Sequence, residues 1–556
     1  MAPENTANAT ANILIRAKSI YTLAPDAPVQ RCIAIQGDII CGISQDSNGL
    51  DTLIGPDTRI IDEPQATVLP ACDDTHTHLI FAALGQFDVA VHEARTLSEI
   101  LQALQDRAAV TQPGNWICSG TNWQEYNIEE KRLPTLQELD SVSTKHPVLV
   151  RRGGHNAVLN SMAMALAGVT ETTQVPQGGK IGVDEEGHLN GLLQDAALSF
   201  LFKALPPIPL EERISGLEAA SASYAATGIG CVRDCFVTIE DMAILKAAKD
   251  AGRLHTRVRA LIGSLGVTTV ADMNALLDMM EPYRALQHDP WLSIWGIKFM
   301  MDGGIEAGAT EEAYHSEGCG CPIGATEFRG RLLWESDTLV EVMDVVLHRG
   351  WRIGTHAYGD RATQNLLDVY EKLLERHPDL PQGSLVLEHG ALATSHQRDR
   401  AVALGIPVTI QAPLLHDAAG IQEVYWGRDR VNRLFPVRQW IDAGALVTAG
   451  SDFPVGPYGS MFSLWSMTTR ETVVGVRGPE HAITVTEAIE LHTTAAAKLL
   501  GEADSRGMLT LGRLADLNVW ASDPYEAGNK VDYRLDKTLY SIIGGQVKNA
   551  PVSWRV

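Results

Sequence analysis

The sequence predicts an α/β protein: a (β/α)8, TIM-like barrel with an inserted subdomain, beside a small β-sandwich built from both termini. Three observations lead there. Eight apolar runs, at 72–78, 229–235, 257–263, 293–302, 351–356, 384–389, 406–411 and 446–452, are each followed by a helical segment, the count a closed parallel barrel requires. Their spacing is regular except for one gap of about 150 residues after the first run. Both ends of the chain read instead as strands and tight turns.

At the amino end, residues 12–23 and 30–44 read as strands, and Ala34-Ile35-Gln36-Gly37-Asp38-Ile39-Ile40 is a hairpin turning at Gly-Asp. At the other end Leu514 to Trp520 is strand-like, and Ile542-Ile543-Gly544-Gly545-Gln546-Val547 is a second tight hairpin. Pairing of the two ends puts the parts of the sandwich at 1–66 and 503–556 and the barrel at 67–502. The long gap cannot be a structureless loop in a compact protein, so it holds the inserted subdomain, roughly 85–225. Its own strand is Val148-Leu149-Val150-Arg151, and Gly120-Thr121-Asn122-Trp123 and Gly153-Gly154-His155-Asn156 lie within it. There is no internal repeat, heptad pattern or low-complexity tract.

Composition narrows the class. The 556 residues are 45% hydrophobic, ample for a large core, yet no run of 18 apolar residues offers a membrane span. Met1 to Thr10 lacks a basic region followed by an apolar block, so no secretory leader is expected and a cytoplasmic protein is. A formal net charge of −23 argues against nucleic acid and anionic membrane as partners and leaves a small-molecule substrate. The 8 cysteines are sparse, as expected of reduced thiols. The close pairs, Cys231 with Cys235 and Cys319 with Cys321, lack the second pair that structural zinc requires.

The chemistry gathers on the predicted strands. In Leu69-Pro70-Ala71-Cys72-Asp73-Asp74-Thr75-His76-Thr77-His78, an apolar run ends in two histidines separated by one residue. Residues two apart on a strand share a face, so His76 and His78 aim at one point, and imidazole suits divalent metals such as zinc. An isolated His-x-His is usually surface or loop. Other strand ends, where barrel chemistry collects, add to it. Lys298 and Asp302 close the fourth run, His356 the fifth, Glu388-His389 the sixth and Asp452 the eighth. Each has a dull explanation alone: a satisfied core histidine, a snorkelling lysine, a capping aspartate. Together they converge on one rim.

Further motifs accompany them: Gly154-His155 with Asn160-Ser161, Gly178-Gly179-Lys180-Ile181, Lys298-x3-Asp302-Gly303 and His356-Ala357-x-Gly359-Asp360-Arg361-Ala362. Glu388-His389, Ser451-Asp452-x-Pro454-Val455, Arg470 and Gly512-Arg513-Leu514-Ala515-Asp516-Leu517 complete the set. By these the chain resembles, over nearly its whole length, the amidohydrolase superfamily and its amidohydrolase-3 (YtcJ-like) group of metal-dependent hydrolases. The resemblance implies a distorted β/α barrel beside a small sandwich, a homodimer, and one or two divalent ions, Zn2+ foremost. It implies His76, His78, Lys298, His356, His389 and Asp452 as ligands, with Lys298 a bridging carbamate if two ions are bound. An ammonium cannot ligate, but burial disfavours a charged lysine, and the free amine takes up carbon dioxide. The alternative is a lysine that orients the site beside one metal.

The sequence departs from the group at Ala71-Cys72, where a glycine follows the proline in other members. It departs again at Asp302-Gly303-Gly304-Ile305-Glu306-Ala307, and in the loop Glu311 to Arg329 with its Cys319-Gly320-Cys321. The last two departures fall where substrate should sit. Bound metal brings the pKa of its water toward ~7 and polarises a carbonyl. Asp452 would take the water's proton and deliver it to a leaving nitrogen, with Asp74 and Glu388 orienting ligands. Trp123, His155, Arg233 and Asp302 are the substrate-pocket candidates. The reaction expected is hydrolysis of a carbon–nitrogen bond in an amide, N-formyl compound or cyclic amide. Its rivals are deamination, ester hydrolysis or non-oxidative decarboxylation at the same centre, or a catalytically inactive scaffold.

Overall fold

A computed structural model describes residues 10–121, 123–154, 156–176, 179–315, 327–527 and 538–551. The eight expected strands form one parallel sheet in chain order: Cys72–Thr77, Ile229–Val237, Arg257–Gly263, Leu292–Met300, Arg352–Ala357, Leu385–His389, Val408–Ile410 and Val447–Ala449. The eighth is shorter than its apolar run because Gly450-Ser451-Asp452 leaves the ladder to close the barrel on the first strand. Asp452 N–H donates to the His76 carbonyl at 2.8 Å, and the Thr75 hydroxyl donates to the Ala449 carbonyl at 2.9 Å. Gly450 permits this approach: a Cβ there would lie 2.7 Å from His76 Cβ. Four of the surrounding helices start on a reciprocal threonine cap, at Thr238 with Asp241, Thr269 with Asp272, Thr394 with Gln397 and Thr484 with Glu487. Their apolar faces and the strands share one large buried core.

The termini pair as expected. One seven-stranded sheet runs Gln546–Asn549, Thr538–Ile543, Leu517–Trp520, Arg59–Pro70, Ile13–Ile20, Gln30–Gln36, Ile39–Ser44. It curls until Ile39 bridges Leu514 across the sandwich, around a core that includes Ile15, Ile33, Val68, Leu517 and Ile542. Both hairpins turn through left-handed glycines, Gly37 at φ 61° and Gly544 and Gly545 at φ 57° and 67°. The strand Arg59–Pro70 was not anticipated, since Asp62-Glu63-Pro64-Gln65 interrupts its apolar pattern. It crosses the expected limit at residue 66 and passes through Ala71 into the first barrel strand. A buried ion network ties the two bodies together. Arg257 of the third barrel strand holds Asp516 at 2.7 and 2.9 Å, and Arg506 holds Asp73 of the first at 2.9 and 3.0 Å. Glu502 accepts from Arg259 at 2.5 Å and from Arg506 at 2.7 Å.

The gap folds as a separate unit with a five-stranded sheet, ordered Ile117–Cys118, Val148–Arg152, Asn156–Leu159, Leu189–Asp195, Gly179–Val183, flanked by four helices between Leu97 and Ala204. Its expected end at 225 is too late. The helix Leu210–Ala226 packs on the barrel helix Leu79–Gly85 and strand Ile229–Val237, burying Ile214, Leu217 and Tyr224 in the barrel core. The unit docks on loops beyond the barrel strands. Asn156 Nδ2 donates to Glu306 Oε1 at 3.1 Å, and the Tyr126 ring occupies the space a Cβ on Gly420 would need. Arg152, buried, bridges Glu125 at 3.0 Å and Glu306 at 3.7 Å. Among the described residues no helix is long and apolar enough to cross a membrane.

Candidate active site

The closing seam of the barrel creates the site. His76 and His78 point to one side of the first strand, and Asp452 arrives from the eighth. His78 Nε2 lies 3.0 Å and His76 Nε2 3.5 Å from Asp452 Oδ1. One donor atom from each of the three residues can be chosen within 4.8 Å of the others. Asp452 is held at φ 58° and His389 at φ 72°, a left-handed backbone that costs a non-glycine residue on the order of 1–3 kcal/mol and recurs at functional sites.

The remaining candidates close around these three. Lys298, 3% exposed between Ile297 and Phe299, brings Nζ to 3.5 Å from His76 Nε2. The His389 ring stands 4.6 Å from the His76 ring and 4.5 Å from that of His356. His356 Nε2–H donates to the Gly303 carbonyl at 3.1 Å, which leaves its lone pair on Nδ1. Burial first, then the Lys298 ammonium, holds His76 down at about 4 and His356 at about 3, and burial with the neighbouring imidazoles pushes His389 well below the usual range. At neutral pH all three are neutral, as metal ligation requires. Burial would raise the Asp452 carboxyl, but the His78 hydrogen bond and the surrounding positive charge outweigh it and keep it ionised.

The donor set fits a divalent cation: neutral imidazoles and an ionised carboxylate within a few ångströms. His389 Nδ1 and His78 Nδ1 are buried without a hydrogen-bond partner, so both are free to meet an ion.

Glu388 lies beneath. Its carboxylate accepts from His76 Nδ1 at 2.7 Å, Thr409 Oγ1 at 2.6 Å and Arg233 Nη2 at 2.5 Å. Burial is overcome by Arg233 and Lys298, which hold Glu388 well below the usual carboxylate range. The Nδ1 bond places the His76 lone pair on Nε2, facing Lys298 and Asp452. Gly354 makes room for this pair: a Cβ there would meet Glu388 Oε1 at 2.4 Å and Arg233 Nη2 at 2.7 Å. Thr409 had a signal that went unread, a hydroxyl inside the apolar run Val408–Ile410.

Three pocket candidates sit elsewhere than expected. Arg233 is fully buried, capped by the Trp295 ring 4.1 Å away, and supports Glu388 from below rather than meeting substrate. Asp302 is fully buried too, and organises loops by accepting backbone N–H bonds from Ala309, Tyr358 and Gly359 at 2.8–3.0 Å. Burial still drives its carboxyl up to about 7. Trp123 belongs to the core of the inserted unit, its indole N–H donating to the Arg151 carbonyl at 2.6 Å. His155, Cys319 and Cys321 lie outside the described residues. Asp74 accepts the backbone N–H of His76 at 3.3 Å. It accepts from Ser451 N at 3.0 Å and Oγ at 2.6 Å, stitching the seam that carries Asp452. Cys231 and Cys235 are buried, free thiols.

In shape the protein is a parallel eight-stranded barrel with an inserted unit docked on its strand-end loops and a cluster of possible metal ligands at the seam. The sequence identifies it further: residues 59–548 match the Amidohydrolase family, Amidohydro_3, and the chain belongs to it, a family of hydrolases acting on carbon–nitrogen bonds. It is 28% identical over 484 residues to an N-substituted formamide deformylase of Arthrobacter pascens, covering 85% of this chain and 86% of that one. It is 25% identical to the putative amidohydrolase YtcJ of Bacillus subtilis (strain 168), over 95% and 97% of the two chains. Among solved structures, an uncharacterised metal-dependent hydrolase from Pyrococcus furiosus shares the fold, with a TM-score of 0.69 at 20% identity, covering 92% of this chain and 99% of that one.

Proposed function

We propose that the protein is a zinc-type hydrolase that cleaves the carbon–nitrogen bond of a small amide, N-formyl compound or cyclic amide. One observation carries the proposal: two imidazoles and an ionised aspartate from opposite ends of the sheet meet at 3.0–3.5 Å where the barrel closes. The relative named as an N-substituted formamide deformylase, matched over 86% of its length, supports the N-formyl reading.

His76, His78 and Asp452 would hold one ion, and His356 and His389 a second. A divalent ion there lowers the pKa of water and draws electrons from a carbonyl oxygen. The residues supply the rest. Asp452 accepts the proton of the water whose oxygen adds to the carbonyl carbon, and returns it to the nitrogen as the carbon–nitrogen bond breaks. Glu388 keeps the His76 lone pair on the metal side. Lys298, enclosed by apolar neighbours, would add carbon dioxide through its amine nitrogen, lose a proton, and present a bridging carboxylate.

The test begins with metal analysis of purified protein, then assays N-acyl, N-formyl and lactam compounds with products identified by mass. Replacing His76 and His78 together by alanine should remove metal and activity at once; a double variant that keeps its full metal content overturns the assignment. Lys298→Ala should lose metal occupancy and recover part of its activity when short carboxylic acids are added.

A further inference from the structure

On the far face of the barrel, a second cluster has the chemistry of a metal site. We propose that Asp344, His348 and His377 bind a zinc-like divalent cation that clasps the two helices flanking the fifth barrel strand. Asp344 and His348 lie one turn apart on the helix Ser336–His348, and His377 caps the C-terminus of the helix Asp360–Arg376. Both helices end at the amino ends of the strands. The strand between them, Arg352–Ala357, carries His356 near its opposite end, roughly 13 Å along the strand from Arg352 at ~3.3 Å per residue.

The spacing suits a tetrahedral ion. Two bonds of ~2.0–2.1 Å at the tetrahedral angle separate donor atoms by roughly 3.3 Å. One donor atom from each of the three residues can be chosen within 4.8 Å of the others: His377 Nε2 hydrogen-bonds Asp344 Oδ1 at 2.9 Å, a contact an ion would replace, and His348 Nδ1 lies 3.3 Å from Asp344 Oδ2. The His348 and His377 rings stand edge to face, with centroids 4.7 Å apart and planes inclined 72°. Three protein donors leave a fourth position for water. The site is reachable: the His348 side chain is 66% exposed, while Asp344 and His377 are largely covered.

Electrostatics add to geometry. Two helix C-termini meet here, and their terminal carbonyls carry partial negative charge that favours a cation. The opposing charge is Arg376, 3.8 Å from Asp344, but its guanidinium is engaged at 2.6 Å with Glu341. His348 Nδ1 also bonds the Asp344 carbonyl at 2.9 Å, a contact that metal binding would replace. Among the described residues, the other metal-capable groups both contain His76 and belong to the mouth.

The experiment compares the full-length, untagged chain with His348→Ala/His377→Ala, titrating Zn2+ against a chromophoric chelator and Co2+ by its visible absorption. The difference does not depend on the nature of the reaction at the mouth. The expected result is one metal equivalent fewer in the double variant, unchanged turnover, and a zinc-dependent rise in melting temperature that is larger in the parent than in the variant, which keeps only the contribution of the mouth. Equal stoichiometry, or loss of the equivalent together with activity, overturns the proposal. If the double variant does not fold, His348→Ala alone should weaken the extra site at least tenfold, and unchanged affinity is equally fatal.

Discussion

At the scale of single residues, Glu388 decides how the site is set. It touches no solvent, yet it fixes which nitrogen of His76 can bind an ion. In Glu388→Gln either amide orientation turns an NH2 against a group that is already a donor. Meeting His76 Nδ1, it drives the proton to Nε2 and removes the lone pair that faces the site. Metal affinity should fall by roughly 10–100-fold, measured by chelator competition, with the circular dichroism spectrum preserved; unchanged affinity would show that the tautomer is set otherwise. The residues of this site were legible because each interrupts an apolar run near the end of a strand. Depth was not. A charged residue inside such a run reads the same whether it points to the mouth or into the layer below, so Arg233 and Asp302 looked like pocket residues and are supports. Trp123 was misleading for a related reason: an aromatic residue beside glycines is as consistent with a small unit's core as with a binding wall.

At the scale of elements, regular runs were easy to place, and all eight barrel strands begin within two residues of expectation. The strand Arg59–Pro70 escaped because a strand paired on both edges tolerates polar residues where its faces meet water, and Pro64 hid the rest. The helix Leu210–Ala226 was assigned to the insertion because sequence order does not reveal which core an amphipathic face will join. The insertion's hold on the barrel rests on Arg152. Removing it leaves Glu125 and Glu306 enclosed without a counter-charge, a loss of about 3–5 kcal/mol for a buried pair. Arg152→Ala should therefore loosen residues 85–209 first. Faster hydrogen exchange or proteolysis there, with metal content intact and KM raised, is the expected outcome; uniform destabilisation of the whole chain would argue that the two units fold as one.

At the scale of the molecule, the ion network between barrel and terminal sheet makes stability depend on acid. Burial would raise Glu502, but Arg506 and Arg259 overcome it and hold it at about 2, against 4.5 for a free glutamate. A carboxylate depressed in the folded state stabilises it above pH 4.5, and that contribution drains away as pH falls toward 2. The shift corresponds to a few kcal/mol, on the order of 3. Chemical denaturation of the parent and Glu502→Gln at pH 6 should differ by about that amount, and the gap should close progressively below pH 4.5. A gap that stays constant with pH would mean that the network contributes packing alone. Asp73, in the same network, is raised by burial to about 6 and acts in the opposite sense over a higher range, so the comparison with the variant is what isolates Glu502.

The middle strand of the terminal sheet has a consequence for how the protein is made. Arg59–Pro70 pairs with Ile13–Ile20 on one side and Leu517–Trp520 on the other. The first partner leaves the ribosome before it; the second follows about 450 residues later, roughly 20–90 s at ordinary elongation rates. Through that interval the nascent chain carries an open hydrogen-bonding edge, the kind of surface that recruits stray strands and chaperones. A message stopping after residue 502 should therefore yield insoluble protein, although the candidate site residues are all encoded. Co-expression of 503–556 as a separate fragment should return part of it to solution, and a fully soluble truncated chain would show that the edge is shielded by other means.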